Sequence, residues 1–256
     1  MSRSMSKHSL VLGLVLLTSL LALLLLLPSV RNVGDLLWTR LQARSRKRSV
    51  RDVLRVYGPA AQRRLRPFFV RAGVPFPPRR VVFLGLKKEK KLELWARGKR
   101  QRRLRYIRTW PVLAASGHRG PKLREGDSQV PEGFYRLTWL HPNSWFHLSV
   151  KLNYPNRFDR KHARREKRRR PGSNIFIHGK QVSDGCLALG DKAIEEVFVM
   201  LARTGLRRSR IVIAPHDPRV SALRPRRVDP QWLRGLYRSI TREFRKYPLS
   251  RRTRRP

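Results

Sequence analysis

Acidic residues and cysteines are scarce in this sequence of 256 residues. It has 16 Asp and Glu but 60 Lys and Arg, which gives a formal net charge of +44 at pH 7. A single cysteine, Cys186, excludes an internal disulfide. The sequence has no glycine-rich phosphate loop, no spacing typical of a zinc site and no paired carboxylates at a recognisable active-site spacing. These absences argue against nucleotide-dependent, zinc-dependent and two-carboxylate enzymes, and neither a metal nor a cofactor is implied.

The excess of positive charge predicts attraction to polyanions, whether nucleic acid, anionic lipid or an anionic wall polymer. The basic residues are spread along most of the chain, so the charge does not choose among these partners. No RNA-recognition or zinc-finger pattern accompanies them, and we expect no specific nucleic acid as a partner.

The most informative stretch is residues 173–198, which contains the cysteine. Residues 175–177 are apolar and predict a buried strand that ends at His178. Asp191 is expected to be an N-cap. Apolar residues at helical spacing predict a helix after it: Ile194, Val197, Phe198 and Leu201. Cys186 therefore lies on a turn between an extended segment and a helix.

Cys186 and His178 are a candidate nucleophile and base. A thiolate attacks carbonyl carbon, but a free thiol has a pKa of about 8.5 and needs a base or a positive environment. Gly179 and Gly185 allow tight turns, and backbone N–H groups around Gly185 and Cys186 are candidates for stabilising an oxyanion. Ser183 is expected to support the loop or orient the histidine. The alternative is structural, with a small buried cysteine and a hydrogen-bonded strand-end histidine.

Residues 178–188 have the order His-Gly-x3-Ser-x-Gly-Cys-Leu-Ala. This order resembles the active-site signature of the L,D-transpeptidase catalytic domain (YkuD-type), and its short His-to-Cys spacing resembles the YafK-like branch of that family. Asp184 stands where more common members have a second histidine, so a mechanism that uses that histidine is not implied. Asp184 is kept as a candidate substrate-binding residue.

Two further segments resemble the same family. Residues 131–135, Pro-Glu-Gly-Phe-Tyr, are similar to its Pro-x-Gly-x-Phe/Tyr strand, and residues 145–156 are similar to its Phe-His-Leu-Ser…Tyr-Pro-Asn strand. His147 and Tyr154 are therefore candidates for lining the substrate groove. The alternative puts the aromatic side chains in the core, which we favour for Phe146, and gives the histidine a hydrogen-bonding role.

The resemblance covers about residues 80–220 and implies a mainly β fold with α-helices (α+β), a sandwich-like YkuD-type catalytic domain. The strand pattern agrees, because apolar segments at 81–84, 92–95 and 104–110 predict a β-meander, and 112–117 a further strand. The predicted organisation is an anchor at 1–30, a basic helical juxtamembrane segment at 31–78, the catalytic domain at 79–220 and a basic C-terminal helix and tail at 221–256.

Proline, glycine and charge patterns set several boundaries. Gly58-Pro59 is expected to interrupt a helix that covers most of residues 33–73; this basic helix either lies on anionic phospholipid or packs on the domain. His141-Pro142-Asn143 is expected to form a turn. Residues 157–170, with nine Lys and Arg, predict a solvated loop or a mobile lid for anionic substrate. An amphipathic helix is predicted within 229–247.

Residues 10–27 form an uncharged apolar run that reaches the length of a membrane-spanning helix. The run is longer than a typical signal peptide core and lacks an Ala-x-Ala site, so it predicts an uncleaved anchor, with a cleaved signal peptide as the alternative. Basic residues are more numerous after the run, which by the positive-inside rule places the domain in the cytoplasm. The resemblance implies a wall substrate, and we therefore expect a bacterial inner-membrane anchor with the catalytic domain in the periplasm or outside.

The resemblance implies acyl transfer on peptidoglycan stem peptides. Cys186 would attack the carbonyl of an L,D peptide bond after a diamino acid, and the acyl group would pass to an amine or to water. Cross-linking, cleavage and hydrolysis stay open at this point. A function from a different class is a non-catalytic, basic, membrane-tethered protein that binds anionic polymers.

Overall fold

The computed structural model describes residues 47–249. Its helices are α1 (Val50–Arg71), α2 (Arg157–Arg165), α3 (Asp191–Thr204) and α4 (Leu233–Phe244). Its strands are β1 (Arg80–Leu86), β2 (Lys91–Arg97), β3 (Arg105–Pro111), β4 (Gly133–Ser144), β5 (His147–Leu152), β6 (Phe176–His178), β7 (Leu187–Ala188) and β8 (Ser209–Ala214). A 3₁₀ turn at Leu206–Arg208 precedes β8.

The strands form one curled sheet in the order β3-β2-β1-β8-β4-β5-β6-β7. The pairs β1–β8 and β6–β7 are parallel, and the other neighbours are antiparallel. The predicted β-meander is confirmed as β1 to β3, and the mixed α+β class is confirmed as well.

Both faces of the sheet are covered, because side chains alternate along each strand. Val81 and Phe83 of β1 belong to the larger core, which α1 and α3 complete. Val82 and Leu84 point to the other face and pack with α4. The predicted C-terminal helix is confirmed as α4, whose apolar face is fully covered by the sheet.

Helix α1 runs through Gly58-Pro59 without a break, so the predicted interruption is wrong. A proline inside a helix costs about 3 kcal/mol. Burial of one apolar face offsets that cost, and the buried residues of this face are Val53, Ala61, Leu65 and Phe69. The helix begins with a capping box between Ser49 and Asp52. The helix packs on the domain, which is one of the two roles predicted for it, the other being to lie on anionic phospholipid.

Three other local predictions are wrong. Strand β4 continues through His141-Pro142-Asn143, with a register shift between His141 and Ser144 in its pairing with β5. Most of the basic run is exposed, as predicted, but it contains helix α2 instead of a continuous loop, and this helix begins with a capping box between Asn156 and Asp159. Residues 112–117 form a loop with one isolated bridge, Ala114 to Ala188, instead of a strand.

Several predictions lie outside the described residues: the anchor at 1–30 with its apolar run at 10–27, the first part of the juxtamembrane segment and the end of the C-terminal tail. Between residues 47 and 249, no helix combines the length and apolar content that crossing a membrane requires. One compact unit begins at Arg48 and includes α1 and α4 together with the sheet.

Candidate active site

The parallel pair of strands β6 and β7 positions the candidate nucleophile and base. In the parallel pair of β6 and β7, Ile177 lies opposite Leu187 and His178 opposite Ala188. Cys186 directly precedes β7 and therefore lies beside Phe176, and its thiol lies 3.8 Å from the carbonyl oxygen of Asn174. The structure thus brings Cys186 and His178 to the same strand pair, and no hydrogen bond joins their side chains.

The imidazole of His178 is buried, with 2% of the residue exposed. Its Nδ1 lies 2.6 Å from the carbonyl oxygen of Gly179. A carbonyl accepts only, so Nδ1 carries the proton and Nε2 is the basic nitrogen of the neutral ring. Burial lowers the pKa of His178, although the bond to Gly179 opposes this effect. The ring is therefore neutral near pH 7, as a general base must be.

The thiol of Cys186 is half-buried and protonated in its resting state. Burial raises the pKa of Cys186, and the nearby carboxylate of Asp184 raises it further. The N–H of Phe176 and the ammonium of Lys122 act in the opposite direction. A thiol with a raised pKa needs a base to become a nucleophile, and this requirement assigns a function to the buried imidazole.

Ser183 fixes the backbone on both sides of the cysteine. Its Oγ accepts from the N–H of Cys186 at 3.1 Å and donates to the carbonyl oxygen of Cys186 at 2.8 Å. The N–H of Gly185 donates to the hydroxyl of Ser116. Both N–H groups predicted to stabilise an oxyanion therefore hold the loop together in this structure, and Ser183 supports the loop rather than contacting His178.

The turn after His178 has no room for a side chain. A Cβ at Gly179 would lie 2.6 Å from the carbonyl oxygen of Phe146 and 2.6 Å from Oδ1 of Asp191. That carboxylate accepts from the N–H of Lys180 at 2.9 Å. Asp191 was predicted to be the N-cap of α3, but the N-cap is Gly190. Asp191 instead ties the start of α3 to the turn.

The side chains of His147 and Tyr154 make no hydrogen bond or ring contact with Cys186 or His178. His147 bonds through Nε2 to Glu195 at 3.1 Å and packs edge-on against Tyr57. Tyr154 is 4% exposed, and its hydroxyl donates to the carbonyl oxygens of Lys122 and Pro171. Both side chains therefore fill hydrogen-bonding roles between elements.

Asp184 is exposed in the loop that carries the cysteine. Its carboxylate acts on Cys186 through charge and raises the pKa of the thiol.

Phe146 and Ser116 are site residues that the sequence did not indicate. Phe146 was expected in the core, but it is 38% exposed and its ring covers that of His178, with centroids 4.4 Å apart. Ser116 reaches Gly185 from 69 positions away. Its position beside Gly117 gave no local signal, whereas Phe146 directly precedes a histidine within a family-like segment.

Two cavities flank the loop that carries Cys186. One of about 440 Å³ is lined by Ser116, Lys88, Arg119 and His216. The other, of about 510 Å³, is lined by Lys180, Gln181 and Asp191. Within residues 47–249, no group of three His, Cys, Asp or Glu is arranged to hold a metal ion. The arrangement therefore supplies a nucleophile and a neutral base, and neither cavity is lined by Cys186 or His178 themselves.

Comparison with known proteins identifies the type of domain. The family model for the L,D-transpeptidase catalytic domain, YkuD, matches residues 79–213. YafK of Escherichia coli (strain K12), provisionally named an L,D-transpeptidase, is 34% identical over 114 residues, which are 44% of this chain and 43% of YafK. The match therefore spans less than half the length of that relative.

Two solved structures are also similar. Bd1075 of Bdellovibrio bacteriovorus is 25% identical, with a TM-score of 0.38, over 54% of this chain and 48% of that one. The helical cell shape determining protein Pgp2 from Campylobacter jejuni is 19% identical, with a TM-score of 0.44, over 59% of this chain and 55% of that one.

Proposed function

Because the chain belongs to the family of L,D-transpeptidase catalytic domains (YkuD), we propose that it performs cysteine-dependent acyl transfer on peptidoglycan stem peptides. One observation carries the proposal. Cys186, whose thiol needs a base, and buried His178, whose Nε2 is left basic by the bond from Nδ1 to Gly179, lie two residue positions apart along the parallel pair of β6 and β7.

The first half of the reaction forms an acyl-enzyme. Nε2 of His178 takes the proton of the Cys186 thiol, and the thiolate attacks the carbonyl carbon of the peptide bond between a diamino acid and a D-amino acid. When the tetrahedral intermediate collapses, the imidazolium gives its proton to the departing amine. A D-amino acid leaves, and a thioester joins the stem peptide to Cys186.

The second half decides between transfer and hydrolysis. A neutral amine that attacks the thioester forms a new peptide bond, and its proton passes through His178 to the departing thiolate. Water in the same position gives a free carboxylic acid. We propose transfer to an amine as the main reaction, because Phe146 covers one face of His178 and limits the access of water there. Hydrolysis of the same linkage is the second candidate.

A wall substrate requires the catalytic domain to meet peptidoglycan. We therefore propose that the domain acts on the outer side of the bacterial inner membrane. Labelling of an introduced surface cysteine by a membrane-impermeant thiol reagent in intact spheroplasts tests this location, and absence of labelling before lysis, with labelling after it, would contradict it.

Intact-protein mass spectrometry of the full chain with a purified tetrapeptide muropeptide tests the reaction. We expect an adduct equal to the muropeptide minus its terminal D-amino acid, mapped to Cys186 and lost in Cys186→Ala. Chromatography of the products with and without an amine acceptor then separates transfer from hydrolysis. Folded protein that gives neither adduct nor product would contradict the proposal and favour the non-catalytic alternative.

A further inference from the structure

A third cavity, of about 400 Å³ and called the arginine cavity, lies at the opposite end of β1 and β8 from the cavity beside Ser116. Strands β1 and β8 are parallel, with Val81 opposite Ser209 at one end and Leu86 opposite Ala214 at the other. The cavity beside Ser116 adjoins the ends of both strands at Lys87 and Pro215. The arginine cavity adjoins the beginnings of both strands, ~20 Å away at about 3.3 Å per residue.

The wall of this arginine cavity is almost entirely cationic. Seven of its eight lining residues are arginines, the eighth is Ser209, and no carboxylate lines it. Sheet register brings them together, because Arg80 lies opposite Arg97 and Arg136 lies opposite Arg210. Tertiary structure therefore brings together arginines from four segments of the chain, two of which are short basic runs at 79–80 and 207–210.

Two of the seven guanidinium groups have hydrogen-bond partners within the protein. Arg97 donates to the carbonyl oxygens of Gly98 and Gln101. Arg210 donates to Glu243 and to the hydroxyl of Tyr247. No side-chain hydrogen bond or ion pair to the described residues engages the other five, which are Arg79, Arg80, Arg136, Arg207 and Arg208.

An adjoining cavity of about 910 Å³ extends the positive surface. It shares Arg80, Arg97 and Arg210 with the arginine cavity and adds Arg103 and Lys246. Its wall also includes apolar and aromatic side chains. A ligand larger than a single anionic group therefore has room to continue from one cavity into the other.

We propose that the arginine cavity binds a phosphate-bearing anion. Guanidinium groups of like charge that surround one space repel each other, and a bound anion removes that repulsion. The planar fork of arginine matches the oxygens of phosphate and forms strong, paired hydrogen bonds with them. A compact concave cavity suits a phosphate or phosphodiester group better than it suits the length of a nucleic acid strand. The site is separate from Cys186 and does not depend on acyl transfer.

Calorimetric titration of the full chain in a non-ionic detergent tests the site. The probes are inorganic pyrophosphate and sn-glycero-3-phosphoglycerol, the water-soluble headgroup of phosphatidylglycerol, with citrate as a carboxylate control. We expect saturable binding of a phosphate probe that is weakened at least about tenfold in the triple variant Arg79→Gln, Arg136→Gln, Arg208→Gln. Pyrophosphate binding alone would indicate free phosphate compounds as ligands, and headgroup binding would indicate phospholipid.

The matched control is Arg63→Gln, Arg66→Gln, Arg238→Gln, which removes the same charge from exposed arginines elsewhere. We expect it to change the affinity less than about threefold, whereas a loss equal to that of the cavity variant would show general attraction to a basic protein and overturn the proposal. Absence of saturable binding, or citrate binding as tight as pyrophosphate, would overturn it as well.

Modification by phenylglyoxal provides a measurement on the unaltered chain. Peptide mapping should show that pyrophosphate protects Arg79, Arg136 and Arg208 but leaves Arg63 and Arg66 reactive. Equal modification with and without pyrophosphate would contradict the site without depending on how any variant folds.

Discussion

Nδ1 of His178 lies 2.6 Å from the carbonyl oxygen of the next residue, Gly179. This contact fixes which imidazole nitrogen is protonated, and the ring of Phe146 covers the face of the same imidazole. The histidine is thus held as a neutral base by its own backbone and not by a carboxylate. The following predictions test this arrangement and the packing around it.

The rate should depend on the protonation of His178. Because burial lowers the pKa of this residue below its ordinary value of 6.5, kcat/KM for muropeptide should fall as pH falls, with a midpoint below 6.5. The folded state also binds fewer protons at this site than the unfolded chain, so this contribution to stability is lost as pH falls below 6.5. A midpoint above 6.5 in the pH profile would contradict the assignment.

Replacement of the base should slow two separate reactions. In His178→Gln we expect kcat/KM to fall at least about 100-fold. Alkylation of Cys186 by iodoacetamide should also slow at pH 7, because the thiol loses the base that deprotonates it. The control is His162→Gln, a partly exposed histidine of α2 that stacks on Trp232 outside the strand pair. Unchanged alkylation in His178→Gln would show that the two side chains do not act together.

Loss of the Ser183 hydroxyl should loosen the cysteine loop. Ser183→Ala removes both bonds to the backbone of Cys186, and each such bond contributes about 1 kcal/mol. We expect the free energy of unfolding to decrease by about 1–3 kcal/mol and kcat to fall. Ser239→Ala, which removes one exposed helix bond, should change neither by a similar amount. Denaturant titration and steady-state kinetics measure the two effects.

Replacement of glycine by alanine should have opposite effects on stability at two positions. Gly179→Ala would place a Cβ 2.6 Å from the carbonyl oxygen of Phe146 and from Oδ1 of Asp191, so we expect a destabilisation of about 2–3 kcal/mol. Gly235 lies in α4, and a Cβ added there would have no neighbouring atom within 4 Å outside its own helix backbone. Gly235→Ala should therefore stabilise the protein by about 1 kcal/mol. Thermal unfolding of both variants measures the contrast, and equal effects would refute it.

Loss of a buried ion-pair cluster should lower the free energy of unfolding more than loss of an exposed pair. The guanidinium of Arg219 is 6% exposed and bonds to Asp217 and Glu93, which raise its pKa further. Arg219→Met leaves two buried carboxylates without this partner and should cost about 3–5 kcal/mol. Arg170→Met, at a pair whose arginine is 82% exposed and whose partner Glu125 is 51% exposed, should cost less than about 1 kcal/mol. Similar losses in urea titration would contradict this difference.

Much of the fold follows from local patterns. The strands around Phe83 and Trp95 and the helix around Val197 were predicted because alternation and helical spacing are properties of neighbouring residues. The prediction failed at Gly58-Pro59 and Pro142, where packing of the surrounding segment offsets the local cost of proline. It also failed at Arg157–Arg165, where a capping box starts a helix within a run of like charges.

The sequence by itself determined the candidate chemistry: one thiol, a histidine eight residues before it and glycines at the turns between them. Tertiary structure alone decided that Ser116 holds Gly185, that Phe146 covers His178 and that five arginines without a partner among the described residues surround one cavity. The physical reason is the separation along the chain over which each kind of interaction acts. Backbone preferences act between adjacent residues, whereas these contacts depend on sheet register and loop packing between segments far apart in the chain.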